Sequence, residues 1–250
     1  MREIRSALPA ENLLYVADSA AAPYGDRSTE FIHSRARAIV EFFLSQGVKA
    51  IVVACNTATA VAVQSLRSAY RTPMIAIEPA LKPAAAITRT GVIGILATGQ
   101  TLASKKFLLL AEKHGQGARI LMQACPGWVE QVEKGELNNE RTLDLVAACV
   151  RPLLAQGADT LALGCTHYPF LSPVIRQVAG DQVGLIDPSH AVARELGRRL
   201  RSGGLLREDG NAASERFWSS GDAIAVSDVM TRLWGDTVTV QPLPALYSAH

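Results

Sequence analysis

The sequence lacks several features that would place it in a common class of proteins. No two of its 4 cysteines form a CxxC pair, which argues against a zinc site or a dithiol redox motif. No apolar run is long enough to cross a bilayer. Residues 1–6 carry basic side chains but no apolar segment follows them, which argues against a secretory signal. Residues 91–94 are too sparse in glycine for a GxGxxG dinucleotide loop.

The charges are also nearly balanced, so neither sign dominates. The net charge is +2, with 48% apolar and 19% charged residues. This composition is typical of a globular protein, and it gives no reason to expect nucleic acid or an acidic membrane as a partner. Widely spaced cysteines fit a reducing compartment. We therefore expect a cytoplasmic protein with one large domain or two small ones.

Short apolar runs alternate with segments of helical periodicity. These runs predict strands at 13–17, 50–54, 74–77, 92–97, 120–122, 160–163 and 183–186. Such near-continuous apolar strands are typical of parallel sheets covered on both faces. Ser28 can cap a helix that ends at Gly47, and a second helix runs from about 139 to 156 and stops at Gly157. The order predicts an α/β fold with doubly wound, parallel-rich sheets.

A pattern that occurs twice in the sequence indicates two similar domains. Residues 50–57 and 160–167 each read as a strand, a cysteine and then polar residues that can cap a helix. Proline interrupts the pattern near 78–79 and 187–188. We therefore predict a first α/β domain formed by residues 1–79 and 189–250, which carries Cys55. Residues 80–188 form the second domain, which carries Cys165, and the active site lies in the cleft between the two.

Cys55 and Cys165 both follow predicted strands, at the edge of the sheet where open α/β folds bind ligands. A thiol at a helix N-terminus meets unpaired N–H groups and the positive end of the dipole, which lower its pKa. The same N–H groups can hold a carboxylate. The alternative is that each cysteine is a core residue, since free cysteine is often buried. We interpret Cys149 and Cys125 as packing residues.

Other candidate residues each have a plain alternative. His167 could exchange a proton with Cys165, or it could be a loop histidine bonded to backbone. Tyr24 and Gly25 could form part of a site or an ordinary β-turn. The run of arginines on one predicted helix indicates a solvated face and comprises Arg194, Arg198, Arg199 and Arg201.

Several motifs together resemble the aspartate/glutamate racemase family, and its glutamate racemases in particular. They occur in the family's order and cover nearly the whole chain. They are Pro23-Tyr24-Gly25, Cys55-Asn56-Thr57-Ala58-Thr59-Ala60, Glu78-Pro79-Ala80, Lys82-Pro83-Ala84, Ala124-Cys125-Pro126, Val132-Glu133-Lys134-Gly135 and Gly164-Cys165-Thr166-His167-Tyr168-Pro169.

The resemblance implies an isomerase with two α/β domains that needs neither pyridoxal phosphate nor a metal. It implies that Cys55 acts on D-glutamate and Cys165 on L-glutamate, and that His167 and Glu133 support Cys165. Inversion of a carbon by proton transfer requires a base on one face and an acid on the other, which two cysteines can supply. The residues that it assigns to substrate binding are Pro23, Tyr24, Gly25, Asn56, Thr57, Thr101, Thr166 and His167.

The beginning of the chain departs from the family pattern. Members normally start with a strand and an Asp-Ser-Gly-x-Gly-Gly turn, whose aspartate assists the first cysteine and whose serine binds substrate. Residues 1–5 resemble the helix after that turn, and Asp18-Ser19 resembles a different segment. We expect the missing strand to be encoded upstream. A true truncation would instead leave a gap in the first sheet.

The implied role is the supply of D-glutamate for peptidoglycan, with glutamate as the substrate. Other partners that the resemblance suggests are a second copy of the chain and a peptidoglycan-precursor activator. Two alternatives stay open. One is a racemase of aspartate or another amino acid, and the other is a non-catalytic binding protein of the gyrase-inhibitor type.

Overall fold

The structure, a computed structural model, describes residues 1–115, 117–208 and 210–248. Its strands are short, and they span Leu13–Ala17 (β1), Ile51–Val53 (β2), Met74–Ala76 (β3), Val92–Ala97 (β4), Arg119–Ala124 (β5), Thr160–Gly164 (β6), Gly184–Ile186 (β7), Glu215–Ser219 (β8) and Val240–Pro242 (β9). The helices span Arg2–Ala7 (α1), Thr29–Ser45 (α2), Asn56–Val61 (α3), Val63–Ala69 (α4), Leu81–Ile87 (α5), Gly99–Ala103 (α6), Lys105–His114 (α7), Trp128–Glu133 (α8), Glu140–Ala155 (α9), Ser172–Ala179 (α10), Ser189–Ser202 (α11), Ala223–Trp234 (α12) and Ala245–Ser248 (α13). Two 3₁₀ turns span Tyr24–Asp26 and Tyr168–Leu171.

The contacts divide the chain into two compact units. Met1–Val53, Val61–Ile77 and Ser189–His250 form the first unit, and Ala54–Ala60 and Glu78–Pro188 form the second. The second unit contains one sheet of four strands in the order β5-β4-β6-β7, and the first contains the sheets β1-β8-β9 and β2-β3. Every strand pair is parallel, which confirms the predicted α/β class with parallel sheets.

The sheet of the second unit has a switch point in its connectivity. The chain passes from β4 to β5 on one side and then returns to place β6 on the other side of β4. Ala97 pairs with Gly164 at the carboxyl ends of these two strands. In open α/β sheets this is the place where ligands bind, because the loops after the two strands diverge there.

Gly164 allows the strands to approach closely at this switch point. A Cβ atom added there would lie 2.8 Å from the Cβ of Ala97 and 3.2 Å from the carbonyl oxygen of Leu96. A side chain at position 164 would therefore push β6 away from β4. The glycine before Cys165 thus serves the backbone geometry that fixes the position of this cysteine.

The two long helices begin and end where the sequence predicted. The Ser28 side chain accepts a hydrogen bond from the Phe31 N–H and caps α2, and the Asn139 side chain does the same for α9. Such caps satisfy N–H groups that the helix leaves without a partner. Gly47 and Gly157 follow the two helices with φ of +68° and +90°, as left-handed C-terminal residues.

Aromatic side chains pack on both sides of β8 in the first unit. This strand was not predicted from the sequence. The rings of Phe42 and Trp218 lie 5.2 Å apart in an edge-to-face arrangement. On the other side of β8, Phe217 packs edge-to-face on Trp234 at 5.8 Å. Each arrangement contributes about 0.5–1.5 kcal/mol beyond the area that it buries. Residues from the last third of the chain therefore complete the sheet that β1 starts.

The unit boundaries differ from the predicted domains at one point that matters for the site. Residues Ala54–Ala60 group with the second unit, whereas the sequence analysis assigned Cys55 to the first. The reason is local: the Thr57 hydroxyl contacts Thr98 and Thr101, and the Thr166 hydroxyl donates to the Ala54 carbonyl at 2.8 Å. The domain limits themselves stay a prediction.

The arginine run lies on α11, where its four side chains are all in exposed positions. Glu195 accepts hydrogen bonds from Arg198 and Arg199 at 2.7 and 2.8 Å. Ion pairs of this exposed kind contribute little to stability.

None of the described helices combines the length and the apolar character that crossing a membrane requires.

Asp159 joins β6 to the loop before β4, and its loss is expected to destabilise the second unit. Its carboxylate accepts from the Thr88 hydroxyl at 2.6 Å and from the N–H groups of Arg89 and Thr90 at 2.7 and 2.9 Å. Burial alone would raise the pKa of Asp159, but these hydrogen bonds outweigh it and hold the pKa below its usual range. Asp159→Asn should therefore lower the free energy of unfolding by about 1–3 kcal/mol near neutral pH.

The pH dependence gives this prediction a second test. A carboxylate whose folded pKa is depressed stabilises the fold above its unfolded pKa of about 3.9, and this contribution is lost as the pH falls. Denaturant unfolding at several pH values should therefore show the gap between wild type and Asp159→Asn shrinking below about pH 4. Asp181→Asn, at an exposed position of the same unit, is the control. An equal loss in both variants would contradict the prediction.

Candidate active site

Cys55 follows β2 with one residue, Ala54, between them, and it lies just before the first turn of α3. Its Sγ accepts a hydrogen bond from the Ala58 N–H at 3.4 Å. Thr57 adds hydrogen bonds to the same thiol from its backbone and its side chain. The predicted placement of this sulfur at a helix start is therefore confirmed.

The predicted effect on the pKa of Cys55 is wrong. Burial raises the pKa of this thiol to about 11, although the hydrogen bonds from Ala58 and Thr57 oppose the rise. A short helix start offers only a few N–H groups, and the loss of water around a thiolate outweighs them. The charge of Cys165 raises the pKa of Cys55 further, so the two thiols are close enough to influence each other. Cys55 is thus protonated at neutral pH.

Cys165 lies directly after β6, at the switch point of the four-stranded sheet. A series of polar side chains leads away from it. The His167 Nδ1 lies 3.7 Å from the Cys165 Sγ. The His167 Nε2 lies 2.7 Å from the Glu133 Oε1 at the end of α8. The structure therefore brings together three of the four residues that the sequence analysis placed in catalysis, in the order thiol, imidazole, carboxylate.

The contacts of His167 with Cys165 and Glu133 favour a protonated imidazole. Burial lowers the pKa of His167, but the hydrogen bonds with Cys165 and Glu133 outweigh it and raise the pKa to about 10. A carboxylate on one ring nitrogen and a sulfur on the other both stabilise the charged ring. At neutral pH the arrangement can therefore hold an imidazolium beside Cys165, while Cys55 keeps its proton.

Three threonine hydroxyls meet beside the start of α3. Thr57 Oγ1 lies 3.1 Å from Thr98 Oγ1 and 3.2 Å from Thr101 Oγ1, and the Thr98 hydroxyl donates to that of Thr101 at 2.9 Å. Thr57 and Thr101 were predicted from the sequence, whereas Thr98 was not. A signal was present, because Thr98 follows the apolar strand β4 and caps the next helix.

Asn56 stands out because its amide is buried without a partner. The residue is 4% exposed, and neither its Oδ1 nor its Nδ2 finds a hydrogen bond among the described residues. A buried polar group in this state costs about 1–3 kcal/mol. Functional sites are where proteins retain such groups, since a ligand can supply the missing partners. Asn56 and the neighbouring Cys55 therefore mark one place for a polar ligand.

Pro23, Tyr24 and Gly25 belong to the first unit and are described within it. Tyr24 and Gly25 open a 3₁₀ turn, and the Tyr24 hydroxyl donates to the Asp18 carboxylate. This turn follows β1 at its carboxyl end. The predicted role of these residues in substrate binding stays a prediction.

The other two cysteines lie inside the second unit. Cys125 and Cys149 are both buried, and the Cys149 Sγ points at the Ala124 carbonyl at 3.7 Å. Their burial agrees with the packing role that the sequence indicated. Among the described residues, no group of three His, Cys, Asp or Glu side chains could hold a metal ion.

A comparison with known families decides the class of the protein. The family described as Asp/Glu/Hydantoin racemase matches residues 1–196. This chain belongs to that family. A glutamate racemase of Methylococcus capsulatus is 50% identical over 249 residues, which cover 100% of this chain and 92% of the relative.

Solved structures agree with this membership. A glutamate racemase isoform of Bacillus anthracis has a TM-score of 0.88 and 31% identity, covering 98% of this chain and 92% of that one. The Escherichia coli glutamate racemase, solved with L-glutamate and the activator UDP-MurNAc-ala, has a TM-score of 0.85 and 31% identity, with coverages of 96% and 91%. This family member is therefore an isomerase of the racemase type, as the motifs indicated.

Proposed function

We propose that this chain interconverts L-glutamate and D-glutamate by proton transfers between the α-carbon of the substrate and the thiols of Cys55 and Cys165. The observation that carries the proposal is the contrast between the surroundings of Cys55 and those of Cys165. One is held as a neutral thiol by burial, and the other adjoins an imidazole whose pKa is raised to about 10. Proton exchange at a carbon needs one acid and one base, and two sulfurs with such different neighbours can supply them.

The chemical step balances without a redox partner. In the L-to-D direction, the Cys165 thiolate removes the α-proton of L-glutamate, so that the C–H bond breaks and an S–H bond forms. The electron pair stays on the α-carbon and spreads into the carboxylate. Cys55 then donates its proton to the opposite face, and D-glutamate leaves. The two sulfurs have exchanged their protonation states, and a proton transfer through solvent restores them.

His167 and Glu133 support the base in this proposal. An imidazolium 3.7 Å from the Cys165 sulfur stabilises a thiolate there, because opposite charges attract at this distance. Glu133, 2.7 Å from the other ring nitrogen, keeps the ring charged and oriented. Neither group has to move far during the reaction, so little reorganisation opposes the step.

The polar groups near Cys55 are proposed to hold the amino acid. Asn56 lacks hydrogen-bond partners among the described residues, and a carboxylate or an ammonium group of the substrate would satisfy its amide. The hydroxyls of Thr57, Thr101 and Thr166 are further donors and acceptors at the same strand ends. On the family resemblance we add Pro23, Tyr24 and Gly25, and we propose a reaction that uses no cofactor.

Two finer points rest on the relatives. The glutamate racemases that this chain resembles point to glutamate as its substrate, and D-glutamate made here would serve peptidoglycan synthesis. The Escherichia coli enzyme was solved with the activator UDP-MurNAc-ala, so we propose that a peptidoglycan precursor of this kind activates the present chain. Formation of a homodimer stays a prediction.

The proposed substrate can be tested directly by circular dichroism. Incubation of the purified protein with L-glutamate or D-glutamate should drive the signal to zero from either side, because a racemase brings the two enantiomers to equal amounts. Aspartate, one methylene shorter, should react at least about tenfold more slowly. Racemisation of aspartate but not of glutamate would overturn the substrate assignment and leave the family membership untouched.

A further inference from the structure

The first unit contains a buried charge network at the carboxyl end of β1. The side chains of Asp18 and Arg35 are only 8% and 2% exposed. Arg35 donates through Nε to Asp18 Oδ2 at 3.0 Å and through Nη2 to Oδ1 at 2.7 Å. A bidentate pair of this kind fixes both side chains in direction as well as distance.

The same carboxylate also binds the tip of Tyr24. The phenol donates to Asp18 Oδ2, and Ser220, which follows β8, adds a further hydrogen bond to the Asp18 carboxyl group. Burial would raise the pKa of Asp18, but the hydrogen bonds from Arg35, Tyr24 and Ser220 outweigh it and lower the pKa. Asp18 is therefore ionised at neutral pH, and donors from three parts of the chain converge on it.

The network ties the turn that contains Tyr24 to the scaffold. The N–H groups of Ala21 and Ala22 bond to the Asp18 carbonyl, each at 3.0 Å. The phenol is thus a second tether for a segment that otherwise runs between β1 and α2 as loop and 3₁₀ turn. Loops that bind ligands need such fixed points, because their own backbone hydrogen bonds are few.

We propose that Asp18 and Arg35 are positioning residues, which hold Tyr24 and thereby the Tyr24-Gly25 backbone in the conformation that binds the amino acid. This inference rests on the proposed function, which assigns Tyr24 and Gly25 to substrate binding. Asp18 and Arg35 do not touch the substrate in this scheme. Arg35 orients Asp18, Asp18 orients the phenol, and the phenol fixes the turn.

The test is a double-mutant cycle read in KM and kcat. Tyr24→Phe removes the phenol oxygen and Asp18→Asn weakens its acceptor, so each should raise KM for glutamate roughly tenfold. The value of kcat should stay within about twofold, because the chemical step uses the thiols. The double variant should be no worse than the stronger single one, since both remove the same contact.

Arg35→Lys covers the case in which Asp18→Asn does not fold. The lysine keeps the charge but loses the bidentate geometry, so it should raise KM in the wild-type background and have no further effect in Tyr24→Phe. Lys49→Met is the matched control, because it breaks another pair of the first unit, Lys49 to Glu11 at 2.7 Å. It should lower stability and leave KM unchanged.

The outcomes separate the inference from the function beneath it. Additive effects on KM would mean that Asp18 does not act through Tyr24. An equal rise of KM in Lys49→Met would mean that the network acts only on stability. Either result defeats the inference. Unchanged KM in every variant of an enzyme that racemises glutamate also defeats the inference alone. A wild-type protein that neither racemises nor binds glutamate in calorimetry would defeat the proposed function itself.

Discussion

Replacement of Cys165 by alanine is expected to stop racemisation in both directions, with kcat/KM lower by on the order of 10²–10⁴-fold. The reason is that each direction uses both sulfurs, one as base and one as acid. Cys55→Ala should be equally inactive on the same argument. Because the two enantiomers are equally stable in water, kcat/KM must fall by the same factor whether L-glutamate or D-glutamate is the substrate.

Exchange of the α-hydrogen in D₂O separates the roles of the two sulfurs. Cys165→Ala keeps Cys55, so it should still exchange the α-hydrogen of D-glutamate slowly without inverting it. This exchange should speed up as the pH rises toward about 11, since burial raises the pKa of the Cys55 thiol to that value. Cys55→Ala should exchange the α-hydrogen of L-glutamate instead. Proton NMR of the α-position measures both.

Cys149→Ala is the matched control, because it removes a buried thiol of the same unit that the proposed mechanism does not use. It should keep kcat/KM near the wild-type value. Full activity in either Cys55→Ala or Cys165→Ala would rule out the two-thiol mechanism. Exchange of the same enantiomer in both single variants would reverse or remove the assignment of one cysteine to each face.

The elements that the sequence predicted well are those whose signals are local. All seven predicted strands are present and correspond to β1 to β7. Each predicted end lies within two residues of the observed one. Their apolar runs are nearly continuous, as buried parallel strands require. The limits of α2 and α9 were predictable because Ser28 and Asn139 cap them and glycines end them.

The strands β8 and β9 escaped prediction because their burial comes from distant parts of the chain. The strand β8 begins with Glu215 and Arg216, so it lacks an apolar run. It nevertheless pairs with β1, where Leu13 lies opposite Glu215. The strand β9 has only three residues, and one of them is Pro242. Proline is tolerated in a strand at the edge of a sheet, but its presence in a sequence argues against predicting a strand.

The candidate site also has features that local sequence predicts and features that depend on the surrounding fold. The positions of Cys55 and Cys165 at strand ends, and the bond from His167 to Glu133, follow from motifs that sequence can display. The raised pKa of Cys55 does not, because it depends on how much protein surrounds the sulfur. Thr98 could have been found by applying the strand-end rule to β4, since it caps α6 as Asn139 caps α9.

His167→Asn is expected to lower kcat/KM by on the order of 10²–10⁴-fold, because the charge beside the Cys165 sulfur disappears while the ring's space stays partly filled. Glu133→Gln should cost less, roughly tenfold, since the imidazole remains and loses only the carboxylate on Nε2. The ordering of these losses follows from distance to the sulfur. Equal activity of His167→Asn and wild type would exclude His167 from the reaction.

The ring titration of His167 measures the cause behind these rate losses. Its pKa is raised to about 10 by Cys165 and Glu133 against the effect of burial, so the wild-type ring signal in NMR should titrate near that value. Glu133→Gln removes one of the two raising contacts and should shift the midpoint down toward the ordinary value of about 6.5. Glu130→Gln, an exposed position on the same helix, should leave it unchanged.

The raised pKa of His167 also determines how the stability of the fold changes with pH. A histidine whose folded pKa lies above its unfolded pKa stabilises the fold fully below about pH 6.5, and this contribution is lost as the pH rises through about 10. The stability of the wild type should therefore fall toward that of Glu133→Gln between these limits. A wild-type midpoint near 6.5, or an unshifted midpoint in Glu133→Gln, would show that the carboxylate does not hold the charge on His167, and the support proposed for Cys165 would fail with it.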